Sequence, residues 1–167
     1  MRRALAVLIF LLPPVLMAGG NGAVYFGGHS FKAEVAVTQA EQERGLMYRK
    51  QLPKDACMIF LYGQDGPHAI WMRHCYISLD VAWTDVNGFI VEVAENVPPC
   101  DKKLWELEPC PCPNYGGSTD SRNFIEFPAG TFKRLGIKKG ETLRWDLTLG
   151  DGTLLKGGDW GMMLQPR

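Results

Sequence analysis

Leu79-Asp80-Val81-Ala82-Trp83-Thr84-Asp85-Val86-Asn87-Gly88-Phe89-Ile90-Val91-Glu92-Val93-Ala94-Glu95-Asn96-Val97 is the stretch that decides the fold class. Two runs rich in β-branched and aromatic residues, Leu79 to Val86 and Phe89 to Val97, flank Asn87-Gly88. A two-residue loop between twisted antiparallel strands needs positive φ, which Asn and Gly adopt most readily. The stretch therefore reads as a β-hairpin.

Working outward, the same grammar recurs. Phe31 to Val37 alternates apolar and polar residues, as a half-buried strand does. Thr38-Gln39-Ala40-Glu41 is a capping box, which predicts a short helix from about Gln39 toward Met47, with Leu52-Pro53 as its breaker. Met58 to Tyr62 and Ala69 to Cys75 read as strands around a Gly63–Pro67 turn. Asn123 to Phe127 is a further strand, and Ala129 to Leu135 a short helix stopped by Gly136. Thr142 to Leu149 and Thr153 to Lys156 form a last hairpin at Asp151-Gly152. Short strands punctuated by turns predict a mainly β, compact antiparallel sandwich or barrel-like domain with one or two short helices, over residues 31–156. Residues 98–122, rich in Pro, Gly and Cys, form a long loop within it.

The ends differ from this domain. Arg2-Arg3, the apolar run Ala4 to Met17 and the small residues Ala18-Gly19-Gly20 have the three-part pattern of a signal peptide, assigned to residues 1–20. Residues 21–30 then read as an exported linker and 157–167 as a tail. The apolar run is short for a membrane span and carries Pro13-Pro14, so no span is expected in the mature form. The expected location is periplasmic or extracellular. Of 18 basic residues the leader removes Arg2 and Arg3 and none of the 18 acidic ones, leaving a slightly acidic chain. That balance lacks the basic footprint of a nucleic-acid binder.

Three blocks of sequence share a pattern. The first is Glu43-Arg44-Gly45-Leu46-Met47-Tyr48-Arg49 with Leu52. The second joins Met58-Ile59-Phe60, Trp71-Met72-Arg73, Leu79-Asp80 and Asp85 to Gly88. The third is Glu126, Ala129-Gly130, Leu135-Gly136-Ile137 and Gly140. Together they resemble the bacterial and archaeal family called domain of unknown function 192, and Cys112-Pro113-Asn114-Tyr115 is similar to an element of its exported members. The resemblance implies a compact, mainly antiparallel β domain and no activity. Cys57 stands where the family pattern has Gly, Arg73-His74-Cys75 where it has Lys-Asn-Thr, and Ser78 where it has Pro.

Five cysteines is an odd number, so at least one lacks an intramolecular partner. If the strands around Gly63–Pro67 pair with Phe60 opposite Met72, Cys57 faces Cys75. Facing Cβ atoms lie about 4.5–5.5 Å apart, which a cross-strand disulfide bridges with modest strain. Two buried thiols are the alternative. A Cys100–Cys112 bridge would staple the long loop and leave Cys110 over. A Cys110-Pro111-Cys112 redox pair and a three-cysteine zinc site are weighed against it. The same strand register sets Met58 and Met72 beside His74, a donor set that suits Cu(I), although core packing explains the methionines equally.

Asp80 with Arg73 or His74 forms a candidate acid–base set, whereas an Asp at a strand junction commonly accepts backbone hydrogen bonds instead. Arg44, Arg49 and Arg73 are candidates to converge on Asp80 as an ion-paired network. Trp71, Trp83 and Trp145 are expected in the core, with Trp105 and Trp160 left open. No Ser-His-Asp arrangement and no phosphate loop is visible. The reading is a non-catalytic module that binds a small ligand or an envelope protein, without a cofactor. Its surface is assigned to Trp71, Met72, Arg73, His74, Asp80, Trp105 and Tyr115. The alternatives are an envelope hydrolase or lyase using Asp80, and copper or thiol handling.

Overall fold

A computed structural model describes residues 19–157; the proposed leader, apart from its last two residues, and the tail from residue 158, including Trp160, lie outside the described residues. Strands β1 (Gly20–Phe26) and β2 (His29–Ala36) are followed by helix α1 (Gln39–Arg44) and strand β3 (Ala56–Gly66). Then come β4 (Ile70–Trp71), β5 (Leu79–Thr84), β6 (Ile90–Val97), β7 (Asn114–Tyr115) and β8 (Ser121–Pro128). Helix α2 (Thr131–Leu135) and strands β9 (Arg144–Thr148) and β10 (Leu154–Lys156) complete the order. Eight strands form one sheet in the order β10-β9-β1-β2-β3-β8-β5-β6, and β4 pairs with β7 separately.

The mainly β expectation holds, with one departure from antiparallel pairing. β2 and β3 run parallel, Val35 beside Ile59. Parallel neighbours require a crossover, and the segment carrying α1 supplies it. Thr38 Oγ1 accepts the Glu41 N–H while Glu41 Oε2 accepts the Thr38 N–H, so the capping box forms as its sequence dictates. The helix stops at Arg44, one turn earlier than expected, where Gly45 takes φ 41°.

The β5–β6 hairpin forms around Asn87-Gly88. Asp85 Oδ1 accepts the Asn87 and Phe89 N–H groups at 2.8 and 2.9 Å, and Gly88 has φ 79°. The hairpin end is stitched to the approach of β9: Ile90 N–H donates to Glu141 O and Leu143 N–H to Gly88 O. This brings the β6 edge round to β9 as in a barrel, with β10 outside the seam. The segment assigned as a linker at 21–30 is instead β1 and its turn, paired with β2 on one side and β9 on the other. Asn21, Gly22 and Gly28 hid it, because Gly and Asn weaken a strand reading. Gly22 has a positional reason: a Cβ there would lie 2.1 Å from Asp146 O.

Alternation along the strands sorts two apolar layers. Cys57, Ile59, Leu61, Ile125 and Phe127 join the inner cluster with Trp145. Met58, Phe60, Val81, Trp83 and Phe124 face outward, where the 98–120 loop covers them with Cys100, Trp105 and Cys112. No helix among the described residues is long and apolar enough to cross a membrane.

Candidate functional site

β8 carries the sequence Phe124-Ile125-Glu126-Phe127, and its outward face therefore presents Phe124 and Glu126. Glu126 pairs in register with Met58 on β3 and Val81 on β5, both apolar. It is 7% exposed, and no salt bridge reaches it among the described residues. A carboxylate taken out of water without a cation prefers its proton, and burial pushes the Glu126 pKa up to about 8.

In front of Glu126 lies a cavity of about 320 Å³. Phe60, Phe124, Leu46 and Ile70 form its apolar walls, Tyr62 and Cys75 lie beside the carboxyl, and α1 and Trp71 form the rim. Tyr62 is held by a stacked His68 ring at 3.7 Å. Burial, then the nearby Glu126, raises the Tyr62 hydroxyl to about 12 and the Cys75 thiol to about 12. Both keep their protons at neutral pH. A larger hollow of about 710 Å³ lies on the other side of α1, but its acids are committed. Glu34 pairs with Arg49, and Glu41 accepts the Val37 and Thr38 N–H groups.

The residues expected to form a site are divided by the fold. Trp71, 41% exposed, stands at the rim of the Glu126 cavity rather than in the core, and Met72 is buried beneath it. Arg73 packs over Trp71 at 5.6 Å and pairs with Glu108 at 2.6 Å. His74 takes φ 58°, stacks on Tyr48 and meets Trp105 edge-on. Trp105 is a buried post of the loop, its Nε1–H donating to Cys100 O at 3.1 Å. Tyr115 pairs with Ile70 in the β4–β7 ladder.

Asp80 is not placed for catalysis. It is fully buried on the inner side, where Oδ1 accepts the Asn96 N–H and Oδ2 the Phe132 N–H, each at 2.8 Å. It ties a bulge in β6 to the start of α2. No arginine pairs with it among the described residues: Arg49 pairs with Glu34, Arg73 with Glu108, and Arg44 lines the Glu126 cavity. The acid–base set of Asp80 with Arg73 or His74 is therefore corrected to a structural tether.

The register assumed for β3 is corrected as well. β3 pairs with β2 and β8, not with the 69–75 segment, and Cys57 lies beside Ala33. Cys57 belongs to the inner layer and Cys75 to the outer, so both are free thiols. The same error placed Met58 opposite His74; Met58 instead neighbours Glu34 and Glu126. The Cys100–Cys112 disulfide is present, and Cys110 is free.

The cavity was missed because its groups come from segments far apart in sequence. Glu126 did leave a trace, as the one acid in the apolar strand Phe124–Phe127.

Fold and site define a small, mainly β, barrel-like domain with one buried carboxyl at the floor of an aromatic-walled cavity. The chain belongs to the family DUF192, described as "Uncharacterized ACR", which it matches over residues 23–145. Two solved structures are similar. One is described as a "putative transcription regulator" from Sinorhizobium meliloti 1021, 29% identical, with 77% of this chain and 94% of that one covered and a TM-score of 0.63. The other is a protein of unknown function from Novosphingobium aromaticivorans DSM 12444, 28% identical, with 80% and 91% covered and a TM-score of 0.63. No curated protein matches the chain.

Proposed function

We propose that this chain is an exported binding module of the cell envelope, and that its ligand is a small molecule joining a cationic group to an apolar body. The observation that carries this reading is Glu126, a buried carboxyl with no salt bridge among the described residues, on the floor of a cavity walled by Phe60, Tyr62 and Phe124. Aromatic faces attract cations, and a carboxylate in a low-dielectric site pairs strongly with one. A cation entering the cavity pairs with the carboxylate and drives the Glu126 proton out.

The same geometry favours holding a ligand over transforming it. The neighbouring Cys75 and Tyr62 are protonated at neutral pH, so neither is an activated nucleophile. The hydrolase or lyase reading also loses Asp80, whose carboxylate is committed to two backbone N–H groups.

The test uses primary alkylamines from ethylamine to octylamine, with the matching alcohols and carboxylates, in thermal-shift and calorimetric titrations. Amines should raise Tm, and affinity should tighten as pH rises toward about 8, because binding then displaces fewer protons. Glu126→Gln should abolish the effect. The reading fails if no amine binds, or if the Gln variant binds equally well.

A further inference from the structure

Three of the five cysteines converge in the outer loop, away from the Glu126 cavity. The sulfurs of Cys100, Cys110 and Cys112 all lie within 4.8 Å of one another. Cys100 and Cys112 are bonded, and the free Cys110 Sγ lies 3.0 Å from Cys112 Sγ. Thiol–disulfide exchange needs a thiolate at a disulfide sulfur, and here the attacking group is already in contact with its target.

Burial gives this contact a direction. Cys100 and Cys112 are 7% and 8% exposed, so both bonded sulfurs are shielded from a bulky thiol in solution. Cys110 is only partly buried. The Arg73 guanidinium, paired with Glu108, interacts electrostatically with Cys110.

We propose that Cys110 is the gateway of a three-cysteine thiol–disulfide exchange centre whose substrate is a thiol borne by another molecule. In the first step the Cys110 thiolate attacks Cys112 Sγ. The Cys110–Cys112 bond forms, the Cys100–Cys112 bond breaks, and Cys100 leaves as a thiolate that takes up a proton. In the second step an external thiolate attacks Cys110 Sγ. A mixed disulfide forms on Cys110, and Cys112 leaves as the second thiolate. The two electrons of the external thiol and Cys110 end on Cys100 and Cys112, so no further oxidant is consumed.

The sequence provides the readout. Trypsin cleaves after Lys103, which places Cys100 on one peptide and Cys110 with Cys112 on the next. The starting isomer yields the two peptides linked; either product releases them. The full protein is incubated with reduced glutathione, unfolded in acidic N-ethylmaleimide, digested and weighed. Cys57 and Cys75 take the label in every form, so the peptide that carries Cys75 with Cys100 gains a second label only when Cys100 is released.

Wild type should lose the linked pair and show glutathione on Cys110 with maleimide on Cys100. Cys110→Ser should lose the pair roughly tenfold more slowly or worse. Cys100→Ser, held in oxidised glutathione, should form the Cys110–Cys112 bridge. Equal rates in wild type and Cys110→Ser would overturn the proposal. So would glutathione on Cys100 or Cys112 alone, or two open thiols in Cys100→Ser.

Discussion

At the scale of single residues, two buried carboxyls of one molecule meet opposite fates. Asp80 accepts two backbone N–H groups, one on each carboxylate oxygen. Glu126 sits between apolar cross-strand neighbours and keeps its proton. Asp80→Asn leaves an amide N–H facing a backbone N–H, and should lower stability by about 2–3 kcal/mol in urea melts. A near-wild-type melt would return Asp80 to the list of catalytic candidates. For Glu126 the sign follows from linkage. The unfolded group ionises from its ordinary value of 4.5, whereas the folded group holds its proton to about 8. Across that window the folded state binds more protons, so rising pH removes stability, by on the order of 5 kcal/mol in all. Glu126→Gln should lack this decline, and the two urea midpoints should diverge between pH 5 and pH 8.5. Parallel pH profiles would mean that the carboxyl is hydrated or paired in solution. Asp80 follows the backbone-acceptor alternative that its place at a strand junction offered, whereas residue type alone did not distinguish Glu126 from any other acid in an apolar strand.

At the scale of elements, local chemistry was legible and long-range pairing was not. The Thr38–Glu41 capping box formed as read, and the hairpin formed around Asn87-Gly88, although its loop is longer than two residues and takes positive φ at Gly88 and not at Asn87. The partner of β3 was misassigned because the Gly63–Pro67 turn suggested a hairpin, whereas Asp65 and Gly66 continue the strand. Strand pairing is decided by burial on both faces, and β3 finds it between β2 and β8. The long loop shows a similar dependence on distant groups. Gly116 has φ 71°, and a Cβ there would lie 2.1 Å from Trp83 Cζ2. The indole cannot yield, because it is fully buried and its Nε1–H donates to His68 O at 2.6 Å. Gly116→Ala should therefore cost about 2 kcal/mol or more, by backbone strain and overpacking together. A silent substitution in thermal melts would show that the loop lifts off Trp83 freely.

At the scale of the whole molecule, a sheet whose β6 edge comes round to β9 carries an outer coat, and the coat is fastened by one covalent bond. The Cys100–Cys112 disulfide spans a sequence separation of 12, and its loss should cost roughly 2–3 kcal/mol. Hydrogen exchange after reduction should speed up in residues 98–120 while the β2–β3–β8 ladders stay protected. Uniform loss of protection would show that coat and sheet unfold as one unit. The parallel β2–β3 pair has a further consequence for how such a domain diversifies. Two neighbouring strands that point the same way oblige the chain to travel out and back between them, and residues 37–55 make that journey. Their helix is the rim of the Glu126 cavity. The excursion is also tied down midway, by Gln42 to Leu61 O, Tyr48 N–H to His74 O and Arg49 to Glu34, so the positions free to drift without disturbing any strand are the exposed ones on its helix, such as Gln39 and Glu43. Selection acting on that one detour would retune what the cavity admits while the buried acid beneath it stayed fixed.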